Sequence, residues 1–207
     1  MALEDLTRHI ILASHSPRRR ELLSGLGIDF EVRVIPGIDE SYPSGLPPAE
    51  IPCYLARKKA EAYRSDIKED ELIITADTVV ILDNEILEKP RDRNDAIRML
   101  HRLAGRTHEV VTGVVITAAN RQSAFSVISA VDFAALTDKE IRYYVDTFQP
   151  YDKAGAYGIQ EWIGFIGVQG IRGSFYNVMG LPVQRLYQEL KKFSGNSKPG
   201  PSENDAF

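Results

Sequence analysis

Apolar residues occur along the chain in short runs separated by turn formers, and the runs follow two periods. Ile10–Ala13 is a solid apolar run of strand length, broken at Ser14-His15-Ser16. Ser16 is then a natural N-cap and Pro17 fits the first helical position. Leu22, Leu23 and Leu26 follow at helical spacing, and Gly25 or Gly27 supplies the stop. Phe30, Val32 and Val34 alternate with Glu31 and Arg33, which predicts a strand over Phe30–Ile35. Prolines and glycines make 36–48 a loop. A helix is predicted over Ala49–Arg64, with Pro52 tolerable only in its first turn.

Leu72–Ala76 reads as a buried strand ending at Asp77-Thr78. Val79–Leu82 continues it, and Asp83-Asn84 turns it back through Glu85–Glu88. Asp92 can cap a helix running to Ala104, with Gly105 just past its end. His108–Ala118 and Ser123–Ala135 form a second hairpin around Asn120-Arg121. Thr137 and Glu140 have capping-box spacing and open a helix to Phe148. Ile163–Val168 is strand-like, and Pro182–Phe193 is the last helix.

Strand–turn–helix units mixed with hairpins predict an α/β fold: a mixed, twisted sheet with flanking helices. One domain over 1–193 accommodates every element, and the polar tail 194–207 is expected to be disordered.

Composition narrows the function classes. The chain has 207 residues, 43% hydrophobic and 26% charged, as in ordinary soluble proteins. A net charge of −4 argues against a general nucleic-acid or anionic-membrane binder, so any anion site must be local. The lone Cys53 excludes an intrachain disulfide and a cysteine-cluster metal site, in keeping with a cytoplasmic location. No apolar run is long enough to span a bilayer.

The first helix carries the unusual charge. Arg18, Arg19 and Arg20 fill its first turn, where the helix dipole already disfavours cations by about 0.3–1 kcal/mol each. With the Ser14 and Ser16 hydroxyls and free N–H groups they form a site for a phosphate chain, unless they are only a solvated basic turn. Asp39-Glu40 lies in a loop, as solvated acids or as metal or water ligands. Arg57-Lys58-Lys59 is a basic cluster of which one member could reach an anion. Asp77 directly follows an apolar strand, where it is either a turn carboxylate or a catalytic or metal group.

Phosphate loops, dinucleotide fingerprints, the His-Glu-x-x-His zinc motif and the nucleophile elbow are all missing. What remains is a cationic set, Arg18, Arg19, Lys59 and Lys89, and a carboxylate set, Glu40 and Asp77, able to hold a hard divalent cation or orient a water. Such a combination suits phosphoryl or nucleotidyl transfer to water.

Several stretches together resemble the Maf family. They are Ser14-x-Ser16-Pro17-Arg18-Arg19, Asp39-Glu40, Leu55-Ala56-x-x-Lys59-Ala60, Ala76-Asp77-Thr78-Val79-Val80, Glu88-Lys89-Pro90, the run from Asp152 to Gln160, and Gly173-Ser174 with Gly180-Leu181-Pro182. They occur in order between residues 10 and 193. The resemblance implies a nucleoside triphosphate pyrophosphatase of the inosine triphosphatase-like fold, which cleaves between the α- and β-phosphates with a divalent cation (magnesium or manganese). It makes Asp77 the proton acceptor, as base, metal ligand or both, with Glu40 helping to hold the metal. Ser14, Arg19, Lys59 and Lys89 match phosphate-binding and polar site positions. Arg18, Thr78 and Gln160 match the trio of the subfamily acting on dTTP and UTP. An amide such as that of Gln160 offers both a donor and an acceptor to a pyrimidine imide. His15 departs from a common glycine. A homodimer is compatible with the family, and a regulatory nucleotide-binding module of septum formation is the competing reading.

Overall fold

The computed structural model describes residues 8–193, so the expected disordered tail lies outside the described residues. In chain order the elements are β1 (His9–Leu12), α1 (Pro17–Ser24), β2 (Phe30–Val32), α2 (Ile51–Glu61), β3 (Glu71–Leu82), β4 (Glu85–Leu87), α3 (Arg93–Leu103), β5 (Thr107–Ala118), β6 (Arg121–Phe133), α4 (Asp138–Phe148), α5 (Trp162–Gly167), β7 (Val168–Arg172), α6 (Phe175–Met179) and α7 (Val183–Lys191).

The strands form a seven-stranded mixed sheet in the order β2-β1-β3-β5-β6-β7, with β4 also on β3. β1 runs parallel to β2 and β3, and the remaining pairs are antiparallel. The expected α/β fold with a mixed sheet is therefore the one formed.

Local signals act as chemistry predicts. Ser16 caps α1 by accepting from the Arg19 N–H, with Pro17 at the first position. Pro52 falls in the first turn of α2. Asp83 and Asn84 take positive φ in the β3–β4 turn. The Thr137–Glu140 capping box is complete, with both reciprocal bonds made.

One expected element is corrected. Ile163–Val168 does not form a strand. Trp162–Gly167 is a helix, and the strand is Val168–Arg172. Ile163 and Gly167, four apart, are buried, while Phe165 between them is 81% exposed. A short apolar run does not distinguish the two periods, and here contact decides. The strand begins only where residues can register on β6, Val168 opposite Phe133.

β3 is the axis of the molecule. Along one edge it pairs with β5 from Ile73 to Ile81. Along the other it pairs with β1 at Glu71–Ile74 and with β4 at Val80–Leu82. Between those partners, residues 75–79 face no strand. β3 passes through Asp77 and Thr78 without ending, but its parallel partner stops short of them, so the pair lies in a notch in the sheet edge.

Helix α2 lies unusually close to the sheet over this notch. Ala56 and Ala60 are fully buried against Val115, and the Thr75 hydroxyl donates to the Ala56 carbonyl at 2.7 Å. Gly113, the β5 residue opposite Asp77, makes this approach possible: a Cβ there would lie 2.2 Å from the Cys53 nitrogen. The larger core, including Leu12, Ile74, Val80, Leu100 and Leu186, fills the other face under α3, α4 and α7.

Candidate active site

Alternation along β3 sends Asp77 and Thr78 to opposite faces of the sheet. Asp77 turns toward α2, where its Oδ1 accepts from Lys59 Nζ at 2.6 Å. The same ammonium lies 3.3 Å from Glu40 Oε1. Of the basic cluster on α2, Lys59 is thus the member that reaches the site. Lys58 instead binds Asp39 at 2.6 Å and Arg57 binds Gln122. The two adjacent acids are divided in the same way, Asp39 to Lys58 and Glu40 to Lys59.

Thr78 turns to the other face and meets Arg19. The guanidinium is fixed at four points: Nε donates to the Gly180 carbonyl at 2.8 Å, Nη1 to the Ala76 carbonyl at 2.8 Å and to Ser14 Oγ at 3.4 Å, and Nη2 to Thr78 Oγ1 at 3.0 Å. Ala76 O belongs to the strand edge that no neighbour covers, so Arg19 occupies the notch. Burial pulls the Arg19 pKa down from its ordinary value, and the nearby Asp77 carboxylate works against that shift. Gly180 ends α6 at φ +117°, a conformation that suits glycine, and thereby aims its carbonyl at Arg19.

Arg18, on the adjacent helical position, pairs with Asp152 at 2.9 Å. Burial raises the Asp152 pKa, but hydrogen bonds from Lys153 and Arg18 outweigh it and hold the carboxyl below the ordinary range. Lys153 is buried and bridges Asp152 at 2.7 Å and Glu161 at 3.1 Å, and the Tyr144 hydroxyl also donates to Glu161.

Arg18, Arg19, Glu40, Lys59, Asp77, Thr78, Asp152 and Lys153 line one cavity of about 330 Å³, within the range of small-ligand sites. Arg18, Arg19, Lys59, Lys89 and Lys153 face Glu40, Asp77, Glu88 and Asp152 in its wall. Apolar walls come from Ile51, Leu55 and Val79 on one side of the sheet and from Val80, Val110 and Met179 on the other. Gln160 also lines it, and its side-chain oxygen is buried with no hydrogen-bond partner among the described residues. Such an oxygen costs about 1–3 kcal/mol unless a ligand donates to it.

Eight of the nine residues singled out in the sequence therefore converge on this cavity: Arg18, Arg19, Glu40, Lys59, Asp77, Thr78, Lys89 and Gln160. Ser14 is placed behind it. Its Oγ is buried and accepts from the Ser16 N–H and from Arg19, so it orients the turn. Lys153, Asp152, Glu88 and Tyr42 are wall residues that sequence reasoning did not assign to the site. Asp152 and Lys153 fall within the Asp152–Gln160 run that carries part of the family resemblance, which singled out only Gln160.

Among the described residues there is no cluster of three or more His, Cys, Asp and Glu side chains able to hold a metal. Glu40 and Asp77 nevertheless converge on one point, now marked by the Lys59 ammonium. Magnesium commonly takes one or two carboxylates and completes its shell with phosphate and water. The pair fits a hard cation brought in together with a polyphosphate, and does not resemble a closed protein cage.

The described residues contain no helix long and apolar enough to cross a membrane. Comparison with known proteins finds that the family described as Maf-like protein matches residues 9–193. A dTTP/UTP pyrophosphatase of Phocaeicola vulgatus is 60% identical over 191 residues, covering 92% of this chain and 99% of that protein. One of Parabacteroides distasonis is 61% identical over 192 residues, covering 92% and 100%. Among solved structures, a HAM1 protein from Coxiella burnetii aligns over 89% of this chain and 99% of its own at 13% identity, with a TM-score of 0.45.

Proposed function

The chain belongs to the Maf family, and from that premise we propose that it hydrolyses dTTP and UTP to the nucleoside monophosphate and pyrophosphate. The observation that carries the chemistry is a carboxylate, Asp77, held by Lys59 at 2.6 Å in the wall of a cavity lined with cations. A water placed beside Asp77 can lose its proton to that carboxylate as its oxygen bonds to the α-phosphorus and the bond to the bridging oxygen breaks. Negative charge then gathers on the departing pyrophosphate. Arg18, Arg19, Lys59 and Lys89 are fixed or poised to stabilise it, which is where most of the rate enhancement of such transfers arises.

Glu40 and Asp77 are the residues that would hold a divalent cation, magnesium or manganese. Such a cation supplies charge neutralisation for the phosphates and acidifies bound water. Specificity is assigned to Arg18, Thr78 and Gln160. The buried, unpartnered amide oxygen of Gln160 supports this reading, because it calls for a hydrogen-bond donor on the bound nucleotide. The reading includes a cytoplasmic location, where nucleotide pools are met. It also includes a homodimer, as the family resemblance allows; sedimentation of the pure protein decides that point.

Hydrolysis in ¹⁸O-labelled water, with and without a chelator, tests the proposal. Label in the monophosphate, with turnover lost on chelation and restored by magnesium or manganese, supports it. Label in pyrophosphate or orthophosphate places the attack elsewhere. Tight binding of dTTP with no turnover favours the regulatory module.

A further inference from the structure

The hydroxyl of Thr78 belongs to a chain of polar atoms whose directions can be counted. Arg19 Nη2 lies 3.0 Å from Thr78 Oγ1 and can only donate. Thr78 Oγ1 lies 2.9 Å from Thr112 Oγ1. Thr112, fully buried on β5 directly opposite Thr78, lies 3.1 Å from the Asn177 carbonyl, which can only accept.

Each threonine has one proton. If Thr112 donates to Asn177 O, it must accept from Thr78, and every contact in the chain is a hydrogen bond. If Thr112 instead donates to Thr78, two acceptors face each other at 3.1 Å and the Thr78 proton has no partner within the chain. The first arrangement makes one more hydrogen bond. It uses the Thr78 proton inward and, with one lone pair on Arg19, leaves the second lone pair of Oγ1 free on a residue that lines the cavity.

We propose that Thr112 is a positioning residue that fixes Thr78 as a hydrogen-bond acceptor, so that the site selects pyrimidines with a protonated N3 and disfavours cytosine, whose N3 is itself an acceptor. This deepens the dTTP/UTP reading and rests on it. Arg19 and the Asn177 carbonyl anchor the two ends of the chain. The Gly180 N–H also donates to Asn177 O, at 3.0 Å, which holds that carbonyl in place independently of Thr112.

The test is the ratio of dissociation constants for the α,β-imido analogues of dTTP and dCTP, measured on the wild type, Thr112→Val and Thr112→Ser. Binding of these analogues requires no turnover, so failure of the inference is read separately from failure of the hydrolytic reaction. In Thr112→Val the Thr78 proton loses its inner acceptor and can turn to the cavity. The preference for the dTTP analogue should fall by roughly two- to ten-fold, the worth of one hydrogen bond. Thr112→Ser, which keeps the hydroxyl, should retain the wild-type ratio. A purely structural role weakens both analogues alike and leaves the ratio unchanged, and that result, or a serine variant behaving like valine, overturns the proposal. Should Thr112→Val fail to fold, Thr112→Ala, which also lacks the hydroxyl and adds no bulk, is measured in its place: a contracted dTTP-to-dCTP analogue ratio supports the assignment, and an unchanged ratio overturns it.

Discussion

Lys59 and Asp77, 18 residues apart, meet at 2.6 Å because α2 folds back across the strand that follows it. The ammonium is shared with Glu40 at 3.3 Å, so one cation orients both carboxylates of the cavity. Asp77→Asn keeps the shape but removes the charge. Turnover of dTTP should fall ~10²–10⁴-fold, the usual worth of a general base. Lys59→Met should cost ~10²–10³-fold as the loss of one charge-stabilising group. Wild-type turnover in Asp77→Asn would remove that residue from the mechanism.

Gly113 links the packing of α2 to the chemistry. Its absent side chain allows the Cys53 backbone to sit where a Cβ would lie at 2.2 Å, and the same helix carries Lys59 to Asp77. Gly113→Ala must lift the helix from the sheet. Overpacking of this kind costs about 1–3 kcal/mol or more, so the melting temperature should drop by at least about 2–4 °C and activity should fall with it. A fully active variant of unchanged melting temperature would show that the approach is not needed to seat Lys59.

Gln160→Leu keeps the bulk of the side chain and removes both polar atoms of the amide. A site built to hydrogen-bond its ligand rejects the wrong one because buried groups are left unpaired. The kcat/KM preference for dTTP over dCTP should therefore contract, mostly through a weaker dTTP reaction. An unchanged preference would separate Gln160 from base recognition.

His108 gives the fold an acid-sensitive point away from the reacting groups. It is buried against Phe133 and Tyr157, with Nε2 2.8 Å from the Tyr157 hydroxyl and Nδ1 unpartnered among the described residues. Burial lowers its pKa from 6.5 to about 4, and the charge of Asp132 only partly opposes this. The unfolded chain binds the proton that the native state refuses, so stability is complete above pH 6.5 and is lost as the pH falls toward 4. The loss should reach about 2 kcal/mol by pH 5, or a melting temperature about 4–8 °C lower than at pH 7.5. His108→Gln should shrink that difference, and an identical pH dependence in the variant would contradict the assignment.

Much of the fold was legible because local chemistry and tertiary structure agree. Ser16-Pro17, Asp83-Asn84, Asp92 and Thr137–Glu140 each fix an element end through backbone groups within a few residues. The boundary at Ile163–Val168 was not legible, since an apolar run of that length obeys either period until β6 offers a partner. In the site, the residues of unusual local cost stood out: arginines at a helix N-terminus and an acid inside an apolar strand. Lys153 did not, because its burial depends on Glu161 and Asp152 closing around it, contacts that a linear pattern does not display. The notch between β1 and β4 was likewise invisible, being a property of strand order and register.

The most direct test is product analysis after incubation of the pure protein with magnesium or manganese and each of dTTP, UTP, dCTP, ATP and GTP. Pyrophosphate released from dTTP and UTP in preference to the other three is the predicted result. Release of orthophosphate, or equal turnover of all five, would contradict the assigned bond and the assigned specificity respectively.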